Sequence, residues 1–210
     1  MPINISPPSN IILFFTILSP ILISSYLILD SAFNFHIRGF IFLIGLSIIQ
    51  FLGFMSRKVF NRLRPFIKFK RPPTSAEREL HDMCEVFQPP WKDLAKYSSP
   101  STHGIFHSFI LAYMILGAAN NPNDVGIPFI LFLILIAIID FYYRMKKHCD
   151  NWIDLFIGFL FGAIGGVLWW FAIWNVNKEY TYSFVMRHTK NRIITPVKEN
   201  QLYLIEVRNN

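Results

Sequence analysis

Five apolar stretches, each near the roughly 17–25 residues a helix needs to cross a hydrocarbon core, constrain this chain more than any other feature. They cover residues 11–29, 39–55, 104–119, 127–143 and 152–174. Charges inside them are almost absent, and the polar breaks between them are short except for the one after the second stretch. A backbone in lipid must satisfy its own hydrogen bonds, so each stretch predicts a helix. Of the 210 residues, 53% are apolar and 22 are Phe, more than a soluble domain of this size can hide. The expected fold is an all-α integral membrane bundle of about five transmembrane helices. No Lys or Arg precedes the first stretch and Pro20 interrupts it, so it reads as a retained span and not as a signal peptide.

The chain divides into three parts on this pattern. Residues 1–56 hold two N-terminal spans, and residues 57–175 hold the long loop and three further spans. Residues 176–210 form an extramembrane tail in which Tyr180, Tyr182 and Phe184 alternate with polar residues, predicting two or three short strands. In the long loop, Pro72-Pro73 and Pro89-Pro90 bracket a predicted short helix over 75–86, capped by Thr74 or Ser75. Trp169, Trp170 and Trp174 near the end of the last span predict an interfacial aromatic belt. The two cysteines, Cys84 and Cys149, offer neither a disulfide framework nor a zinc spacing, and read as small buried residues.

Charge supplies an orientation. Arg57, Lys58, Arg62, Arg64, Lys68 and further cations of the long loop share one side with Arg144, Lys146 and Lys147. The positive-inside bias places that side in the cytosol or an organelle matrix, unless those cations hold a phosphate and so count for a different reason. Endoplasmic reticulum and mitochondrial inner membrane both fit. The formal charge of +7 suits anionic, phosphate-headed membrane lipids as partners. No aromatic-basic nucleic-acid module is visible, and the C-terminal tail is the expected surface for any protein partner.

Three polar clusters lie at span ends on that same side. Arg57-Lys58-Val59-Phe60-Asn61-Arg62-Leu63-Arg64-Pro65 follows the second span, and Pro100-Ser101-Thr102-His103 precedes the third. Arg144 follows the fourth span, with Asp150, Trp152, Asp154 and Gly158 leading into the fifth. Together they resemble the three signature motifs of the type 2 phosphatidic acid phosphatase superfamily, K-x6-R-P, P-S-G-H and S-R-x5-H-x3-D. That superfamily includes lipid phosphate phosphatases and dolichyl diphosphatases.

The resemblance implies phosphoryl transfer, in which fixed cations and N–H donors hold the charge on the phosphate as the leaving oxygen departs. It implies that Arg57, Arg64 and Arg144 bind phosphate, with Ser101 and the backbone at Thr102 forming an anion-binding turn. His103 then matches the general acid, and Asp154 the carboxylate that orients a nucleophilic histidine. No cofactor and no metal is implied.

The chain departs from those motifs at four positions. Arg57 stands for the lysine, Thr102 for the glycine and Tyr143 for the serine. Asp150 stands where the nucleophilic histidine belongs. Asp150 itself, His148 two residues earlier, or His107 one turn below His103 could stand in as nucleophile. The resulting expectation is a degenerate lipid-phosphatase-like protein, structural or lipid-binding within a membrane assembly. The alternative is an active lipid phosphate or prenyl diphosphate phosphatase with His103 as acid and a relocated nucleophile.

Blander readings apply to each residue taken alone. The cations touch lipid head groups, and His103 caps a helix or is simply hydrogen-bonded. Asp140 inside the fourth span pairs with Arg144 one turn later. A metal set of His103, His107, Asp150 and Asp154 rests on an i, i+4 spacing that is weak support.

Overall fold

The computed structural model describes residues 8–33, 35, 37–63, 99–120, 127–146 and 149–181. Five helices follow one another: α1 (Pro8–Phe33), α2 (Arg38–Leu63), α3 (Thr102–Asn120), α4 (Ile127–Lys146) and α5 (Trp152–Val176). Helices α2 to α5 are long and apolar enough to cross a membrane; in α1 the apolar stretch is the shorter Leu18–Phe33. Each helix contains one predicted stretch and exceeds it by a few residues at one or both ends. Pro20 does not interrupt α1, which continues through it.

Helix α3 is the axis of the bundle. Every residue from His103 to Ile110 is buried, so the helix has no lipid-facing side over its first two turns. The others bury one stripe and expose the rest, with Leu22, Phe51, Leu131 and Leu168 among the outward apolar side chains. At the centre, Phe42 of α2 meets Phe109 and Tyr113 of α3 edge to face, with ring centroids 5.4 and 4.9 Å apart.

The closest packing joins α3 to α5, and glycine makes it possible. Gly158, Gly162 and Gly166 recur every fourth residue, so they line one face of α5. A Cβ at Gly158 would stand 2.5 Å from the Ser101 carbonyl oxygen, and one at Gly166 would stand 2.5 Å from that of Phe109. Gly162 lies nearer still to the carbonyl of Ile105. Ser101, Ile105 and Phe109 carry the same four-residue repeat, so the two backbones run closely against each other, with the Ser108 hydroxyl beside Gly162. This is the small-xxx-small mode of membrane helix packing. Gln50 Nε2 of α2 donates to the Thr102 carbonyl of α3 at 3.0 Å, fixing α2 beside the start of α3.

Two expectations about the C-terminal region change. Trp170 is buried in the core and stacks on Trp174 at 4.7 Å, while Trp169 lies over Gly45 and donates to the Ile41 carbonyl at 3.2 Å. Trp170 therefore belongs to the core and not to an interfacial belt, while Trp169 and Trp174 are half-buried against the bundle. Tyr180 ends a single 3-10 turn, Lys178–Tyr180, and no strand occurs among the described residues. The rest of the tail and the 75–86 segment lie outside those residues.

Candidate active site

Two helix starts and one helix end converge at one end of the bundle. Ser101 caps α3: its carbonyl accepts from Ile105 N at 3.0 Å and its Oγ from Gly104 N at 3.3 Å. Asn151 caps α5, its side chain accepting from Trp152 N at 3.1 Å. The glycine-lined approach brings these starts together, so that Ser101 N donates to the Asp154 carbonyl at 3.1 Å. Asp154, in the first turn of α5, is fully buried and stands where the helix dipole favours a carboxylate. Helix α4 ends nearby, and Cys149 N closes back on the Arg144 carbonyl at 2.9 Å.

This backbone bond and one from Asp150 N to the same carbonyl hold Asp150 against Arg144. Arg144 Nε donates to Asp150 Oδ2 at 2.5 Å, and Ser101 Oγ donates to the same oxygen at 2.6 Å. All three side chains are buried. Thr102 is half-buried at the first position of α3. Arg57 is buried two turns beyond Gln50 on α2, with its guanidinium 5.4 Å from the Phe54 ring centre. Arg64 and His148 lie outside the described residues.

His103 turns to a partner that the sequence reading assigned elsewhere. Its Nδ1 lies 2.8 Å from Asp140 Oδ2, a hydrogen bond between α3 and α4. His107 Nε2 stands 3.2 Å from the same oxygen. Asp140 therefore serves the two histidines, while Arg144, one turn on, takes Asp150. A carboxylate within a span was itself the available signal, because such a group demands a partner and the nearest helix offers two imidazoles. Cys149 also differs from expectation: it is buried and carries a disulfide. Cys84, the other cysteine of the chain, lies outside the described residues.

A family model for the PAP2 superfamily matches residues 38–178, from the start of α2 to just past the end of α5. The chain belongs to the PAP2 superfamily. Neither the curated proteins nor the solved structures offer a match to it. The PAP2 match spans the four helices α2 to α5 that are long enough to cross a membrane, which makes this a membrane-embedded, phosphatidic acid phosphatase-like chain.

Proposed function

We propose that this PAP2 protein is a degenerate member whose phosphoryl-transfer site is filled by its own carboxylate, and that it works by holding lipid within a membrane assembly. One observation carries the reading. The oxygen Asp150 Oδ2 takes the hydrogen bonds of both Ser101 Oγ and Arg144 Nε, two groups that the family motifs assign to a phosphate. The side chain at the nucleophile position is thus an anion bonded to the groups expected to hold the substrate. A carboxylate repels an incoming phosphate, whereas a neutral imidazole there attacks it and carries the phosphoryl group. The pair is buried, so its charges are weakly screened and a ligand must displace it at a desolvation cost.

The lipid-holding half has its own support. An apolar groove of about 500 Å³, open to the outer face of the bundle, lies between α1 and α4, lined by Phe15, Leu22, Ile23, Phe129, Leu133 and Ile136. It matches an acyl or prenyl chain in size and chemistry.

The test uses the full chain in detergent with phosphatidic acid, a prenyl diphosphate and an aryl phosphate. Phosphate release is expected at background level with all three, and Asp150→His is expected to raise it. Robust release by the natural chain that vanishes in His103→Ala would overturn the proposal and establish the active alternative. Loss in His148→Ala as well would name the relocated nucleophile.

A further inference from the structure

The bundle encloses a second group of polar side chains whose bonds are incomplete. His103 and His107 lie one turn apart on α3, and Asp140 reaches them from α4. All three are buried, Asp140 completely. One nitrogen from each imidazole and one carboxylate oxygen lie within 4.8 Å of one another. The His103–Asp140 hydrogen bond accounts for Oδ2 alone. Asp140 Oδ1 is buried with no hydrogen-bond partner. His107 Nε2, although 3.2 Å from Oδ2, lies out of hydrogen-bonding alignment with it and is likewise without such a partner. An ordinary buried His–Asp pair does not leave a carboxylate oxygen and a ring nitrogen unsatisfied side by side, since each costs about 1–3 kcal/mol.

We propose that His103 Nδ1, His107 Nε2 and Asp140 form a three-ligand site for a late first-row divalent cation, with zinc the best match. Two imidazole nitrogens and a carboxylate are a ligand set zinc uses, with a fourth position left for water. Bonds of about 2.0–2.2 Å in a tetrahedron separate neighbouring ligands by about 3.3–3.5 Å. The 2.8 and 3.2 Å separations here reach that by rotamer adjustments of a few tenths of an ångström. A dication also supplies the counter-charge that a carboxylate inside a span requires. His103 stands in the first turn of α3 and keeps 7% of its surface accessible, which gives an ion a way in from the membrane face. The site involves neither Asp150 nor Arg144 and shares only His103 with the phosphoryl-transfer residues, so metal binding is read separately from phosphate release.

The experiment uses full-length protein in detergent, freed of any affinity tag, stripped with chelator and titrated with Co²⁺ and then Zn²⁺. Co²⁺ is expected to bind one per chain with visible d–d absorption of tetrahedral intensity, and Zn²⁺ to displace it. His107→Ala and Asp140→Asn, each checked for native helix content, are expected to weaken binding more than about 100-fold, beyond what outer-shell changes cause. Should His107→Ala fail to fold, His107→Cys retains a ligand and is expected to add a thiolate-to-cobalt charge-transfer band. Three results each overturn the site: no saturable binding by the natural chain, binding unchanged in folded His107→Ala and Asp140→Asn, or folded His107→Cys without the new band.

Discussion

Arg144 and Asp150 are six residues apart in the chain and 2.5 Å apart through Nε and Oδ2, because the Cys149 and Asp150 N–H groups both bond back to the Arg144 carbonyl. The same carboxylate oxygen accepts Ser101 Oγ from the start of α3. Three separate segments are thereby tied through one atom. If that atom stands in for a phosphate oxygen, removing its charge should reopen the pocket.

Asp150→Asn is accordingly expected to tighten binding of inorganic phosphate or a short-chain phosphatidic acid at least tenfold, about 1.4 kcal/mol. Titration calorimetry in detergent reads this directly. Adding Arg144→Ala to the same chain should abolish the gain. Equal affinities for the natural chain and Asp150→Asn would mean that the carboxylate does not compete for the site.

Removing the other partner has a different consequence. Arg144→Met leaves Asp150 as a buried carboxylate without its guanidinium, and breaking such a pair costs about 3–5 kcal/mol. Unfolding in mixed micelles should show a loss of that order. Replacing both, as Arg144→Met with Asp150→Leu, should recover most of it, since two apolar side chains leave no charge stranded.

The α3–α5 contact predicts a graded response to a single methyl group. At Gly162 the added carbon meets the Ile105 backbone, which cannot move aside without shifting the helix. Gly162→Ala should therefore destabilise by on the order of 1–3 kcal/mol, the usual range for overpacking. At Gly53 the one close contact is with Ile105 Cδ1, the far end of a flexible side chain, so Gly53→Ala should cost less. The ranking of the two midpoints is the check, and a reversed order would refute backbone contact as the cause.

The disulfide on Cys149 bears on orientation, because such bonds persist in oxidising compartments. The end of the bundle that carries Ser101 and Arg144 is expected to face a lumen or the cell exterior, opposite to the side given by counting Lys and Arg. In sealed vesicles with that end outward, treatment with a membrane-impermeant reductant should be needed for a maleimide, added after denaturation, to label Cys149. Labelling without reductant would restore the cytosolic assignment.

Much of this architecture is legible in the sequence, and the exceptions share a cause. Span positions follow from runs of Ile, Leu and Phe, and the helix starts at Ser101 and Asn151 from the chemistry of capping side chains. Both are local properties. Asp140 went to Arg144 in the sequence reading because i, i+4 neighbours are visible in one dimension, whereas its contacts with His103 and His107 cross between helices. The tryptophans misled in the same way. Position near a span end does not tell an inward ring from an outward one, and only Gly45 on α2 makes room for Trp169. The repeat Gly158, Gly162, Gly166 was readable as a packing stripe, but its partner carbonyls on α3 were not.

That stripe bears on how a site of this kind can drift. Main-chain atoms of Ser101, Ile105 and Phe109 against three glycines set the distance between the two helix starts, so the frame of the pocket depends little on the side chains that fill it. On the proposed reading, a carboxylate at position 150 sits in a frame that the main chain already sets. An exchange that strands no buried charge leaves that frame standing, while a methyl group at Gly162, which touches no reactive atom, strains the frame itself. In such a protein, susceptibility to damage and proximity to the reaction centre become separate properties.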